Sequence, residues 1–500
     1  MKYEIIKNYK YKIITLSLVL VFSLSSCDKE LLSPVSETAI SDANAFDTPI
    51  RIEQQINGIY ATLKNGQFYG GRYLIYNDIR GEDFLNRLDN LVTGAAVWSL
   101  NLEPGRDEVN NLWAQAYSTI NRANVLLKGL DDNKSKIAPA LLSTYIGEVK
   151  FLRALCYYSL LQLYAKPFTL NNGTSPGVPL RLLPESTGEN NALARSTVLQ
   201  VYTQILADLN EAETGLPSNY TTAELNTTRA HKNTAIALKT RVYLTMGRYA
   251  DVITEGNKIV PLAAPFISSM GVAHQLQANV ATVYTNYTTT ESILSMPMAD
   301  TNAPGGQNGL GFYFNRDGAG FGNGEYFLNA ASNGILNNPF WPSSDARKVN
   351  FITTTGSGAT TRSYLSKYKR TSPFTDYVPV IRYAEVLLNV AEASARTSVT
   401  PSVKAIALLN AVRRRSDTNY IFGVTDLATQ TSLINTILTE RRIELIAEGF
   451  RSIDLLRTNQ PIPGKISPTI SVNPVAPTES QYIWPIPISE IRTNNLIVPN

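Results

Sequence analysis

Residues 146–164 read IGEVKFLRALCYYSLLQLY, a run that is apolar on nearly every side of a helical projection. A helix at the surface of a globular protein carries one apolar stripe and one polar face, so a helix that is greasy all round needs cover on more than one side. Stacked helices provide such cover. The run stops at Pro167, and a Pro/Gly-rich stretch continues to Pro184.

Outward from this stretch the same period recurs. Residues 48–64 place Ile52, Ile56, Ile59, Tyr60 and Leu63 at spacings of three and four, and residues 108–130 do so with Val109, Leu112, Trp113, Ala116, Tyr117, Ile120, Ala123 and Leu127. Further helices read at 196–214, 230–246, 248–259, 379–396, 402–416 and 430–449. At Gly247, and across 397–401 with Pro401 placed to open the next helix, one amphipathic segment follows another after a short turn. Both junctions read as antiparallel helix hairpins, and the fold class is mainly α: a tetratricopeptide-like array of helix pairs with irregular spacing.

Between residues 262 and 376 Gly, Asn, Thr and aromatics replace the helical period, as in APGGQNGLGFYFNRDGAGFGNGEYF. Long structureless segments are uncommon in compact domains unless functional, so this part is expected to pack as irregular structure with short strands such as SILSMPM. No linker cuts the chain. The expected organisation is a signal segment 1–26, an N-terminal helical region 27–260, and a C-terminal region 261–500 that is loop-rich over 262–376 and helical over 377–457. These form one integrated body.

At the N-terminus Lys2, Lys7, Lys10 and Lys12 precede an apolar run over residues 13–24. As a helix that run spans about 18 Å, short of the ~30 Å of a bilayer core, and it reads as a signal peptide. Leu24, Ser25 and Ser26 before Cys27 resemble the lipobox of bacterial lipoproteins, which makes Cys27 the expected site of lipid attachment. Several acyl chains, at ~0.8 kcal/mol per buried CH₂, hold a soluble body at a membrane durably. The net charge of +4 falls to about +1 beyond residue 26, and no basic face with interleaved aromatics is present, so nucleic acid is not a partner. Cys156, the other cysteine, lies in an apolar run and reads as a buried thiol.

Taken in order, several segments resemble the SusD/RagB family of surface nutrient-binding lipoproteins of Bacteroidetes. They are LWAQAYSTINRANVLL (112–127), GEVKFLRALCYYSLLQLYAKPF (147–168), ARSTVLQVYTQILADLNEAETGLP (194–217), RAHKNTAIALKTRVYLTMGRYADVI (229–253), SDARK (344–348), VIRYAEVLLNVAEA (380–393), LLNAVRRRSD (408–417), ILTERRIELIAEGFRSIDLLR (437–457) and IWPIPISEI (483–491). The closing LIVPN departs from the family's more usual ending. The resemblance implies a helical body of tetratricopeptide-like pairs and a ligand that is an oligosaccharide or, in some branches, a peptide. It also implies a partner, a TonB-dependent outer-membrane transporter on which the protein sits as a lid, and exposure at the cell surface. Asp28, Lys29 and Glu30 are similar to the short charged export signal of many such lipoproteins.

In ILTERRIELIAEGFRSIDLLR, helical spacing sets Arg441 near Glu444 and Glu444 near Glu448, with Glu440, Arg451 and Asp454 on the same motif. The surrounding Ile and Leu favour a buried structural ion-pair network over a catalytic pair. Asp78, Glu82 and Asp83 in NDIRGEDF offer acid and base for an anchored glycosidase, yet no apolar setting argues for the raised pKa a general acid needs. His231 and His274 stand isolated, and no Cys/His cluster or phosphate loop is present, so no metal or cofactor is expected. A protein-interaction scaffold is a further alternative. Flat rings can carry the C–H faces of sugars, which makes Tyr69, Tyr73, Tyr76 and Trp98, with Asp78, and Tyr313, Phe321, Tyr326 and Trp341 candidate ligand contacts.

Overall fold

The structure is a computed structural model that describes residues 44–188, 191–316, 322–370 and 372–500. The signal segment, Cys27 and Phe321 lie outside the described residues. Helices α1 (Pro49–Leu63), α2 (Arg72–Ile79), α3 (Asp107–Asp132), α4 (Pro139–Tyr164), α5 (Val198–Gly215), α6 (Lys232–Thr245) and α7 (Tyr249–Gly256) make the N-terminal half. Residues 53–500 form one compact unit; the unit before it ends at Ile52 within α1, and there Asp47 pairs with Arg51 at 3.6 Å.

α4 carries the sequence quoted at the outset, and every residue over 151–164 is buried. It packs against α3, α5 and α6. Arg153 on its apolar surface is satisfied by two of these neighbours: Nε and Nη2 donate to Asp208 of α5 at 2.8 and 2.7 Å, and Nη1 donates to Asn124 of α3 at 2.8 Å. A charge this deep persists only because each donor has an acceptor. Truncating the fully buried Leu152 to alanine would cost ~2–5 kcal/mol. α5 starts where it does because Thr197 and Gln200 form a reciprocal capping box.

The C-terminal half contributes α8 (Ala346–Phe351), α9 (Tyr383–Arg396), α10 (Val403–Ser416), α11 (Gln430–Glu444) and α12 (Arg451–Arg457). α6 with α7, and α9 with α10, form the two hairpins, and Gly247 turns the first with φ 70°. Residues 233–245 of α6 and 383–395 of α9 are buried throughout, so these two pairs face one another in the stack. α10 begins at Val403, one residue later than the 402 start read from the sequence, after Ser402, whose hydroxyl caps the amide of Ala405 at 3.3 Å.

Two expectations fail locally. Residues 379–382, read as the start of a helix, belong to a strand over Val378–Arg382; VPVIR is rich in β-branched residues and pairs antiparallel with Ser292–Met296, from Ser292 opposite Arg382 to Met296 opposite Val378. The helix read over 430–449 ends at Glu444, because Ala447 and Gly449 adopt positive φ of 59° and 83°. A Cβ on Gly449 would lie 2.8 Å from Leu74 Cα, so only glycine permits α12 to approach α2. In the loop-rich segment Tyr326–Leu328 pairs antiparallel with Phe84–Asn86 of the N-terminal half, and Ile352–Thr355 pairs with Arg362–Leu365.

Candidate ligand cleft

The aromatic candidates among the described residues do not face solvent. Tyr69, Tyr73, Tyr76, Trp98, Tyr326 and Trp341 are all 4% exposed or less, and Tyr313 is fully buried. Residues 72–79 are helix α2, buried on every side, where the sequence suggested a loop. Tyr69 packs with Phe68 and Tyr73 at 4.9 Å, Tyr76 lies 5.6 Å from Trp484, and Tyr313 stacks on Tyr326. Trp98 Nε1 donates to Phe84 O at 2.8 Å beneath the ammonium of Lys465, and Trp341 is covered by Lys348. These rings are core, and as ligand platforms they are corrected.

The three carboxylates offered as acid and base are equally committed. Asp78 accepts the backbone N–H of Gly449 at 2.7 Å and of Arg451 at 3.0 Å, and burial pushes its carboxyl up to about 7. Glu82 takes Arg451 Nε at 3.0 Å, while Asp83 takes Arg442 Nε at 2.8 Å. Burial opposes ionisation of Glu82, but Arg451 and Arg442 override it and hold the carboxyl at about 2.

The charged motif is distributed differently from its helical spacing. Since α11 stops at Glu444, Arg441 turns instead to Asp454 at 2.8 Å and to Asn389 at 2.6 Å. Glu440 meets Arg347 at 2.7 Å and also Arg413. Glu444 receives Arg347 at 2.8 Å, Arg382 at 2.9 Å and Arg415 at 2.5 Å, and Glu448 receives Arg382 and Lys367 at 2.7 Å each. With Glu291 and Asp345, five buried carboxylates meet five buried cations. Burial opposes the charge on Glu444, and Arg415, Arg382 and Arg347 together hold its carboxyl well below the usual range.

The two histidines are not isolated. His231 and His274 stack with ring centroids 5.4 Å apart, joining parts of the chain that the sequence shows as unrelated. Burial pushes His231 down to about 3 and His274 down to about 4, so both rings are neutral. Among the described residues no group of three His, Cys, Asp or Glu is placed to hold a metal.

A polar concavity lies elsewhere. The end of α1 with residues 64–67, and the segment 296–308, enclose a cleft of about 740 Å³ floored by Thr228 and Arg229. Its amides are Asn57, Asn65, Gln67, Asn302 and Asn308, and its one ring is Tyr60, whose hydroxyl donates to the buried Glu148 at 2.7 Å. Glu148 also binds Arg229 through Nε at 2.5 Å and Nη2 at 2.7 Å. Lys64 Nζ donates to Pro297 O at 2.8 Å, and burial lowers its pKa. Asn65 accepts the amide of Gln67 at 2.9 Å; among the described residues its NH₂ group and the Gln67 side chain have no protein partner.

The walls meet closely. A Cβ on Gly66 would fall 2.0 Å from Pro304 O, so glycine is required where the two segments touch. Buried Arg72 fixes the far wall: Nε donates to Asn308 Oδ1 at 2.5 Å, Nη1 to Tyr76 Oη at 2.8 Å and Nη2 to Val92 O at 3.1 Å. Asn308 in turn donates to Pro304 O at 2.8 Å. A second concavity, about 620 Å³ between the start of α4 and the end of α5, sets Ile137, Pro139, Leu142 and Ile146 beside Lys134, Ser143, Asn210, Glu211 and Thr214.

Helix pairs stacked in layers under a loop-rich half define a tetratricopeptide-like class of helical protein, and comparisons with known proteins agree. The SusD family model matches residues 238–500, and a model described as "starch-binding associating with outer membrane" matches residues 35–244. The chain belongs to the SusD family. It is 26% identical to SusD-like protein P2 of Formosa agariphila over 98% of this chain and 99% of the relative. A crystal structure of a SusD superfamily protein from Bacteroides fragilis is 33% identical, with a TM-score of 0.79 over 91% of this chain and 99% of the other. A laminarin-binding SusD-like protein is 21% identical, with a TM-score of 0.72 over 91% and 99%.

Proposed function

We propose that this protein is a surface lipoprotein, anchored through Cys27, that captures an oligosaccharide in the cleft of residues 57–67 and 296–308 and passes it to a TonB-dependent outer-membrane transporter without breaking a bond. The observation that carries this reading is the row of amides on rigid supports, with Asn65 and Gln67 holding unused hydrogen-bond capacity at an open rim. Hydroxyl-rich ligands need such groups, because each buried sugar hydroxyl must regain the hydrogen bonds it gives up to water. The relatives support a carbohydrate: one is named for laminarin binding, and one matching family model for starch. Engagement of Asp78, Glu82 and Asp83 in backbone and arginine contacts supports binding over hydrolysis.

Isothermal calorimetry of the purified protein against laminari-, malto- and acidic oligosaccharides and a peptide mixture tests this. An oligosaccharide is expected to bind, and the pair Asn65→Ala with Gln67→Ala to weaken it about tenfold, or ~1.4 kcal/mol, without moving the melting temperature. Binding of peptides alone, or appearance of shortened sugars, overturns the proposal. Mass spectrometry of the membrane-extracted protein is expected to find acyl chains on Cys27.

A further inference from the structure

The charge around the cleft narrows its ligand, on the reading given above. Two lining side chains are cations, Lys64 and Arg229, and none of the lining residues is a carboxylate. Arg229 is balanced from behind by Glu148, yet its Nη1 turns outward and reaches Asn57 Oδ1 at 3.4 Å. Lys64 has no such balance: its amine meets the neutral carbonyl of Pro297, and among the described residues it joins no ion pair. Buried Lys239 and half-buried Lys258 share Glu213 and Glu255, whereas Lys348 and Lys465 meet only backbone carbonyls as Lys64 does, but neither of those lines the cleft.

An uncompensated cation that has given up part of its water is stabilised by an incoming anion, and the partial exclusion of solvent raises the strength of that contact above one at an open surface. Burial already lowers the Lys64 pKa, which is the mark of a charge short of solvation. Around it stand Asn65, Gln67 and Asn302, neutral amides suited to hydroxyls. A peptide ligand would want distinct apolar pockets for alternate side chains, and the apolar lining is limited to Tyr60, Met296, two alanines and two prolines set among amides and cations.

We infer that the cleft takes an acidic oligosaccharide, one bearing carboxylate or sulfate groups on its sugar rings, with an acid group seated at the Lys64 ammonium and flanking hydroxyls on Asn65, Gln67 and Asn302. Arg229 supplies a second, weaker positive end, so a chain with acid groups on successive sugars fits better than one with a single acid.

The test compares three probes of equal length by calorimetry: an oligogalacturonate, a sulfated galactan oligosaccharide and neutral laminaritetraose. At least one acidic probe is expected to bind about tenfold tighter than the neutral one near 50 mM salt, with the gap closing near 500 mM as the charges are screened. Lys64→Gln is expected to erase that gap while leaving the melting temperature in place, and Lys64→Arg to restore it. The sulfated and uronate arms separate the two sources of negative charge. Tight binding of laminaritetraose that ignores Lys64→Gln overturns this inference and leaves the proposed function standing. An acidic preference that survives Lys64→Gln overturns the assignment to this cleft. Absence of binding to all three probes, with peptides bound instead, overturns the proposed function itself.

Discussion

Two regions of this protein concentrate positive charge and treat it in opposite ways. Around Arg382, Arg347 and Arg415 each guanidinium is enclosed by carboxylates, and the five cations and five acids leave a neutral interior. At the cleft, Lys64 touches a carbonyl and no acid lies in the lining. The first arrangement is complete without a ligand and serves to lock α10, α11 and the 378–382 strand together. The second is incomplete, and incompleteness at an open concave surface is what recognition requires.

Acid should break the first arrangement and spare the second. Two opposing sets of groups titrate above pH 4. His231 and His274, depressed to about 3 and 4 from an unfolded value near 6.5, leave the unfolded chain holding more protons in that window, so stability falls as pH falls. Burial raises Asp78 to about 7 and Asp376 to about 6, and these bind protons in the folded state first, so they act with the opposite sign. The two pairs offset each other between about pH 6 and pH 4.5. Below that Glu82 and Glu392, both held at about 2 against burial by their arginines, with Glu444 and Glu448, contribute stability that is present above an unfolded pKa near 4.5 and lost on the way down. Calorimetric melting is expected to show a plateau and then a steep loss of up to ~1.4 kcal/mol per pH unit for each carboxylate. A slope already under way at pH 6.5 would show that the aspartates do not hold their protons.

A smaller effect is expected from Glu444→Gln, which leaves three guanidiniums short of charge in the interior. Removing one partner of such a set costs ~3–5 kcal/mol, readable as a drop in the urea midpoint at unchanged slope. A loss under about 1 kcal/mol would mean that the network is better solvated than its burial implies. The smallest change should come from Lys64→Gln, within about 0.5 kcal/mol of wild type, since no acid is left unpaired when the ammonium goes. Strong destabilisation there would remove the contrast between the two regions.

The helical stack was legible because its signal is local and repeated. An all-round apolar run at 146–164 and the hairpins at Gly247 and 397–401 dictate layers before any contact is known. The strand at 378–382 was hidden because a short β-branched run before a helix is compatible with the helical period, and only its partner at 292–296 decides the matter. Tyr69, Tyr73 and Tyr76 read as candidate ligand contacts because nothing local marks them as core; glycines 66, 70 and 71 sit where backbones approach closely, and the segment beyond them is an interior helix. The cleft amides gave no periodic signal at all. The glycine cluster beside Asn65 was the clue that two segments press together there, and its meaning emerges once Pro304 is placed opposite Gly66.

Arg72 gives the cleft a mechanical property. One guanidinium grips both Asn308 in the wall and the carbonyl of Val92, at the tip of a loop where Leu91 and Val92 stand more than half exposed. The cleft wall and that apolar tip thus share one planar anchor, and removing the Arg72 guanidinium would release both at once.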